Sequence, residues 1–276
     1  MTNQARKLTS ARGNSESACD DFLTVTERGG EWVSPLQVDR FLERYVWASR
    51  YCRGKDALEM ACGTGPGLGL LHRVSKSLCA GDLSDEVLKI ARQHYGDRLR
   101  IDQFDAARTP YSDRSFDVIV LFEAIYYLDD VSNFLREVRR LLREDGVLLI
   151  AMANKDLFDF NPSPFARAYF GPPELRSLLT RERFRADFYG GSPVADSGLI
   201  SMTVRMLKRL AARWGMIPRT MRGKRLLKRL VYGRMVRMPR ELTDRDYTVA
   251  TPIAIPGHTA DVTHQVLYCV AVKETQ

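Results

Sequence analysis

A doubly wound α/β fold, built on a mostly parallel sheet of seven strands, is what the sequence predicts, and three observations predict it. From residue 57 onward, short continuous apolar runs alternate with stretches of helical spacing. Five such strand-and-helix units follow one another, which right-handed crossovers would lay into one sheet. The first of these strands runs into a glycine-rich turn, and the next three each finish near a carboxylate. With 276 residues, 45% apolar and 28% charged, the chain is long enough to bury a full core as one large domain carrying an insertion.

The elements follow in order. The first 20 residues, polar and without the apolar heart of a secretory signal, predict a disordered leader. PLQVDRFLERYVWASRY places Val38, Phe41, Leu42, Tyr45 and Val46 at helical intervals, and residues 21–56 are expected to form a helical lid over the ligand end. DALEMA reads as the first strand, leading into ACGTGPG, and residues 68–75 begin a helix. SLCAGDL is the second strand; Ser84 then caps a helix whose first turn carries Asp85 and Glu86 and whose buried face is Val87, Leu88, Ile90 and Ala91. RLRIDQFDA is the third strand and residues 116–124, FDVIVLFEA, the fourth. The helix after it is the most regular, with Val131, Phe134, Leu135, Val138, Leu141 and Leu142 on one face, and it is expected to end at Asp145 and Gly146 before the fifth strand, VLLIAMA. A Pro-rich connection, a short helix in PPELRSLLTRE and a strand in FRADFYG complete residues 57–197 as the core; residues 198–248 read as a basic helical insertion, and 249–276 as the terminal strand, HQVLYCVAVKE.

Composition narrows the function classes. No run reaches the roughly 18 apolar residues a membrane helix needs. Five scattered cysteines without a CxxC pair fit reduced thiols in a cytoplasmic protein better than a disulfide framework or a zinc site, so no metal is expected. Residues 205–240 hold 13 of the 42 Lys and Arg and no acid, leaving the remainder of the chain net acidic. Two amphipathic stripes run through that segment, Val204, Leu207, Leu210, Ala211 and Trp214, then Leu226, Leu227, Leu230 and Val231. They suit packing on the core, contact with an anionic membrane surface, or capture of a phosphorylated, nucleotide-linked or lipid-linked molecule. With only Trp214 and Tyr232 to stack bases, nucleic acid is the weaker partner.

In an open parallel sheet ligands bind beyond the carboxyl ends of the strands, and Glu59, Asp82, Asp105 and Glu123 all fall there. Gly63, Gly65 and Gly67 bare the backbone for a close approach, but the dinucleotide pattern GxGxxG would require glycine at 68, where the chain has Leu68. Asp82, 23 residues after Glu59, has the spacing of a ribose-hydroxyl acceptor. Several acids and no Lys or Arg in the loop fit a cationic or neutral nucleoside better than a pyrophosphate.

EMACGTGPG, AGDLSDEVLKIAR, QFDAARTPYSDRSFDVIV and FLREVRRLLREDGVLLI, in that order, resemble the successive motifs of class I S-adenosylmethionine-dependent methyltransferases, over about residues 40–155. The resemblance implies a Rossmann-like core and S-adenosylmethionine as cofactor. It places Glu59, Gly63 and Gly65 along the methionine part, Asp82 at the ribose, Asp105 and Ala106 at the adenine, and Ala61, Leu83 and Phe122 among the remaining cofactor contacts. TERGGEW ahead of RYVWA also resembles the N-terminal lid of bacterial members acting on sugars and other small molecules, which makes Tyr45 a further candidate contact. Many relatives carry an acid and a histidine where this chain has Tyr126 and Tyr127, so those tyrosines and His258, in PGHTADVTHQ, are the candidate catalytic residues. The activity expected is O-methylation of a saccharide, or of a glycosylated or lipid-linked intermediate. N-methylation, RNA methylation through residues 205–240, and a non-enzymatic scaffold are the alternatives.

Overall fold

The computed structural model describes Thr26 and residues 28–194, 235–242 and 250–274. The N-terminal leader and the helices expected within 205–231 lie outside the described residues.

The central sheet has eight strands rather than the seven expected. They are β2 (Asp56–Met60), β3 (Ser77–Asp82), β4 (Arg100–Gln103), β5 (Phe116–Phe122), β6 (Leu142–Ala153), β7 (Phe184–Pro193), β9 (Ile253–Ile255) and β10 (His264–Lys273), in the spatial order β4-β3-β2-β5-β6-β10-β7-β9. Strands β4 through β6 are mutually parallel; β10 is inserted antiparallel between β6 and β7, and β9 adds an antiparallel edge. The extra strand is β9, three residues whose exposed pattern carries no alternation that could have been read beforehand. Strand order reverses between β2 and β5, because the chain steps outward through β3 and β4 before returning. That reversal leaves a crevice at the carboxyl ends of these two strands.

Alternate residues of each strand feed opposite cores. Ala57, Val118, Val120 and Leu149 join the cluster beneath α1 (Pro35–Cys52), α2 (Leu68–Val74) and α3 (Asp85–Tyr95), while Leu58, Met60, Ile119, Leu121 and Leu148 join the one beneath α4 (Val131–Leu141) and α5 (Pro172–Arg181). Burial on both faces explains why these strands read as continuous apolar runs rather than as alternation. Helix α1 begins where Ser34 Oγ accepts the Gln37 N–H at 3.2 Å, with Pro35 in the first turn. Ser84 stands at the cap position of α3, yet its hydroxyl makes no capping bond and is buried without a partner among the described residues. Its backbone N–H goes instead to Asp82 Oδ1, at 3.0 Å.

Helix α4 ends four residues before the expected Asp145–Gly146 stop. Leu142 leaves the helix because it pairs with Phe116 of β5, and Arg143 then reaches Asp56 at 2.8 Å and Asp117 at 2.9 Å. Tertiary pairing thus overrides helical propensity there, and Asp145 takes up the turn with φ 62°.

A small two-stranded sheet lies outside the main one. Strand β1 (Trp32–Val33) pairs with β8 (Val236–Arg237), and Gly30 and Met238 extend the ladder. The chain leaving β8 is fastened to the core: the Leu242 N–H donates to Pro66 O at 2.7 Å, and Glu241 meets Arg98 and His94, each at 2.9 Å. The residues that follow the basic segment therefore fasten β8, and with it β1, beside the glycine turn.

Glu137 ties α4 to the loop after β4. It accepts the Thr109 N–H and hydroxyl at 2.8 and 2.7 Å and both faces of the Arg140 fork. Burial opposes its ionisation, but these bonds more than compensate and lower its pKa to about 2. Because the folded value is depressed, the stabilisation is complete above the unfolded pKa near 4.5 and is lost as pH falls through about 2. Glu137→Gln is expected to cost on the order of 2 kcal/mol at neutral pH and to flatten the fall in Tm between pH 5 and pH 2, measured by thermal denaturation across that range.

Candidate functional site

The crevice at the strand-order reversal opens into a cavity of about 390 Å³, within the usual size range of small-molecule sites. Its floor is the turn that follows β2. Ala61 (φ 56°), Gly63 (φ 58°) and Gly65 (φ 76°) all take left-handed backbone conformations, which fold the turn back on itself. The Tyr95 hydroxyl fixes the result, donating to Gly65 O at 2.7 Å while accepting the Gly69 N–H at 3.0 Å.

Helix α1 supplies the cover. Arg40, Phe41, Arg44 and Tyr45 fall at three- and four-residue spacing and line the cavity together. The Tyr45 ring lies directly on Gly67; a Cβ at that position would come within 2.1 Å of it. Phe41 and Phe122 hold the ring with centroids 5.1 and 5.4 Å away. Its hydroxyl donates to Glu59 Oε1 at 2.6 Å.

Glu59 is 1% exposed and sits beneath the cavity rather than on its wall. Oε2 is buried and has no hydrogen-bond partner among the described residues. Burial, with a smaller contribution from the nearby Asp82 charge, raises its pKa to about 8 against the lowering effect of the Tyr45 bond. Such an oxygen calls for a cationic donor, since a lone buried carboxylate is costly to keep charged.

Asp82 closes β3. Its Oδ2 accepts the Gly63 N–H at 2.9 Å and its Oδ1 the Ser84 N–H at 3.0 Å. Burial raises its pKa, and these backbone donors work in the opposite sense. Each oxygen keeps a second lone pair for a ligand hydroxyl. Asp105 lines the cavity from the loop after β4, where its Oδ1 accepts the Ala107 N–H at 2.8 Å and holds Ala106 in place.

At the end of β5, Glu123 adopts a left-handed conformation, φ 51°, which is costly for a residue with a side chain. Its Oε2 accepts the Tyr126 hydroxyl at 2.7 Å, and its Oε1 lies 3.5 Å from Arg44. Burial and the Glu123 charge push the Tyr126 phenol well above its ordinary value, so it stays protonated and acts as a donor. Tyr127, half-buried beside it, is raised as well, chiefly by burial.

Of the residues singled out from the sequence, the structure brings Tyr45, Ala61, Gly63, Asp82, Leu83, Asp105, Ala106, Phe122, Tyr126 and Tyr127 onto one cavity. Glu59 and Gly65 support it from below. His258 is exposed, on a loop whose Gly257 carbonyl accepts from Arg176, and is not among the lining residues. The buried histidine of that region is His264, 3.1 Å from Asp261 and likewise not on the wall, although its neighbours Gln265 and Val266 are. Glu123, one of the acids at the strand ends, also lines the wall, and so do Arg40 and Arg44, which the sequence reading does not single out. The i, i+4, i+5 placement of Arg40, Arg44 and Tyr45 on one helix was the signal that could have found the arginines. Among the described residues no group of three or more His, Cys, Asp or Glu side chains could hold a metal ion.

Comparison with known proteins agrees with this geometry. Residues 58–150 match the family model described as a methyltransferase domain. A probable S-adenosylmethionine-dependent methyltransferase of Mycolicibacterium smegmatis is 32% identical over 184 residues, 63% of this chain and 70% of that protein. One of Mycobacterium tuberculosis is 30% identical over 175 residues, so that the match covers 60% of this chain and spans 63% of the relative's length. Among solved structures, the YcgJ protein of Bacillus subtilis superposes with a TM-score of 0.54 at 15% identity, covering 87% of this chain and 99% of that one, which shows a shared fold.

Proposed function

The chain belongs to the S-adenosylmethionine-dependent methyltransferases, and from that premise we propose that it methylates a small molecule, by O-methylation of a saccharide or of a glycosylated or lipid-linked intermediate. The observation that carries the cofactor half is the arrangement of three acids around one cavity, Asp82 and Asp105 on its wall and Glu59 beneath it. The chemistry of that donor set fits. Asp82 would receive the ribose hydroxyls with its remaining lone pairs, Glu59 would meet the ammonium of the methionine part with its bare oxygen, and Leu83, Phe104 and Ala106 would flank the adenine. Bound there, the cofactor supplies an electrophilic methyl group on its sulfonium.

What the chain itself must do is position an acceptor in line and exclude water. Phe41, Tyr126, Tyr127, Leu128 and Val266 give the remaining wall apolar and aromatic faces, while Arg40, Arg44, Glu123 and Gln265 supply polar atoms. That mixture suits a ring bearing hydroxyls. A hydroxyl acceptor sheds a proton as the methyl arrives, and Glu123, oriented by Tyr126 and Arg44, is the carboxylate on that wall that would take it. The cations of residues 205–240 would serve the same acceptor by holding its phosphate or the anionic surface in which it is embedded.

Isothermal titration tests the first half: S-adenosylmethionine and S-adenosylhomocysteine are expected to bind with one site per chain and NAD to give no heat. Absence of binding by either sulfur nucleoside would overturn the assignment. Transfer of labelled methyl to glycosides and lipid-linked saccharides tests the second, and label appearing only on amines would replace O-methylation with N-methylation.

A further inference from the structure

Glu59 differs from the other acids of the site in what surrounds it. The titratable groups that couple to it are acids, Tyr45 and Cys52 on α1, Cys62 in the turn, Asp82 on β3 and Tyr95 on α3. Arg44, the cation next to Tyr45 in α1, is paired with Glu123. With Oε1 taken by the Tyr45 hydroxyl and Oε2 buried without a partner among the described residues, one neutral donor is all that opposes the cost of a negative charge there. A buried carboxyl in that position is stable as the neutral acid, because the Tyr45 bond alone does not outweigh burial, and an arriving cation favours its ionised form.

We propose that Glu59 is a proton-coupled specificity group: it stands protonated in the free protein and releases that proton when the ammonium of the cofactor's amino-acid arm docks against it. The proposal rests on the cofactor assignment above and goes beyond it. Proton balance is simple, since the O–H bond of the carboxylic acid breaks, its proton passes to solvent, and the carboxylate so formed pairs with the ammonium. Two consequences follow. Affinity for an ammonium-bearing nucleoside weakens as pH falls below the raised value of Glu59, by up to tenfold per pH unit in the limit. A nucleoside without the ammonium gains nothing from the ionised form and shows no such dependence.

Titration calorimetry at pH 6.5, in buffers of differing ionisation enthalpy, counts the protons released. S-adenosylhomocysteine is the main probe, because it carries the amino-acid arm without the sulfonium charge, and 5′-methylthioadenosine, which lacks the arm, is the control. The expected result is release of nearly one proton per S-adenosylhomocysteine bound and none for methylthioadenosine, with Glu59→Gln abolishing release. Equal release for the two probes, or none for either, overturns the coupling while leaving the cofactor assignment standing. Failure of both probes to bind would instead count against that assignment. The comparison of probes uses the unaltered protein, so it decides the matter even where Glu59→Gln prevents folding.

Discussion

Replacing Gly67 with alanine is expected to lower affinity for S-adenosylmethionine by more than about 100-fold and to destabilise the fold by roughly 1–3 kcal/mol. The new methyl group would stand 2.1 Å from the Tyr45 ring, and that ring, packed against Phe41 and Phe122, would have to yield toward the cavity it lines. If the ring shifts, Glu59 loses its one hydrogen bond, and a buried carboxyl stripped of its donor costs about another 1–3 kcal/mol. One methyl group therefore disturbs both the roof of the site and the acid beneath it. Tyr45→Phe separates the two effects, since it keeps the ring on Gly67 and removes only the bond. Calorimetric affinity and Tm of both variants are the measurements; a Gly67→Ala protein that binds within threefold of the wild type would show that the ring is not held as described.

Asp82→Asn should be nearly as damaging as Asp82→Ala, with each expected to weaken binding by about 100-fold or more. The reason lies in what the carboxylate already holds. Its two oxygens accept two backbone N–H groups, from Gly63 and Ser84, so an amide in its place must point an NH2 at one of these donors whichever way it is turned. The glycine turn and the start of α3 would then lose a common anchor, in addition to the ribose acceptor. Asp105, which is exposed and bonds only its own loop, should tolerate the same change with less than about a tenfold loss. Titration with S-adenosylhomocysteine ranks the three variants, and an Asp82→Asn protein indistinguishable from the wild type would remove Asp82 from the binding role.

The glycine-turn side of the cavity was legible in the sequence because its determinants are local. Glu59, the glycines, Asp82 and Asp105 lie at the ends of apolar runs whose period places them at strand termini, and their spacing is independent of how distant parts of the chain pack. Arg44 and Glu123 were harder, since their meaning arises only when α1 crosses the end of β5, 79 residues later in the chain. Strands β1, β8 and β9, two or three residues each, are too short for any period to register. The early end of α4 was hidden for a different reason: the segment reads as helix, and only the pairing of Leu142 with Phe116 draws it into β6. The candidate histidine, His258, precedes the last strand in sequence, but its loop is held by Arg176 of α5 and it is not among the residues lining the cavity.

Strand β10 carries a consequence for how the molecule assembles. Strands β7 and β9 reach the parallel half of the sheet only through β10, which must slip between β6 and β7 and pairs Val266 with Ala153, more than a hundred residues earlier in the chain. The loop so closed is the longest between neighbouring strands of the sheet, and its entropic cost precedes any gain from the ladder. The parallel block that builds the cofactor turn faces no closure of that length, its neighbours in space being nearer neighbours in sequence. The topology predicts an order of folding: the half that carries the glycine turn nucleates first, and the half that closes the sheet follows when β10 arrives.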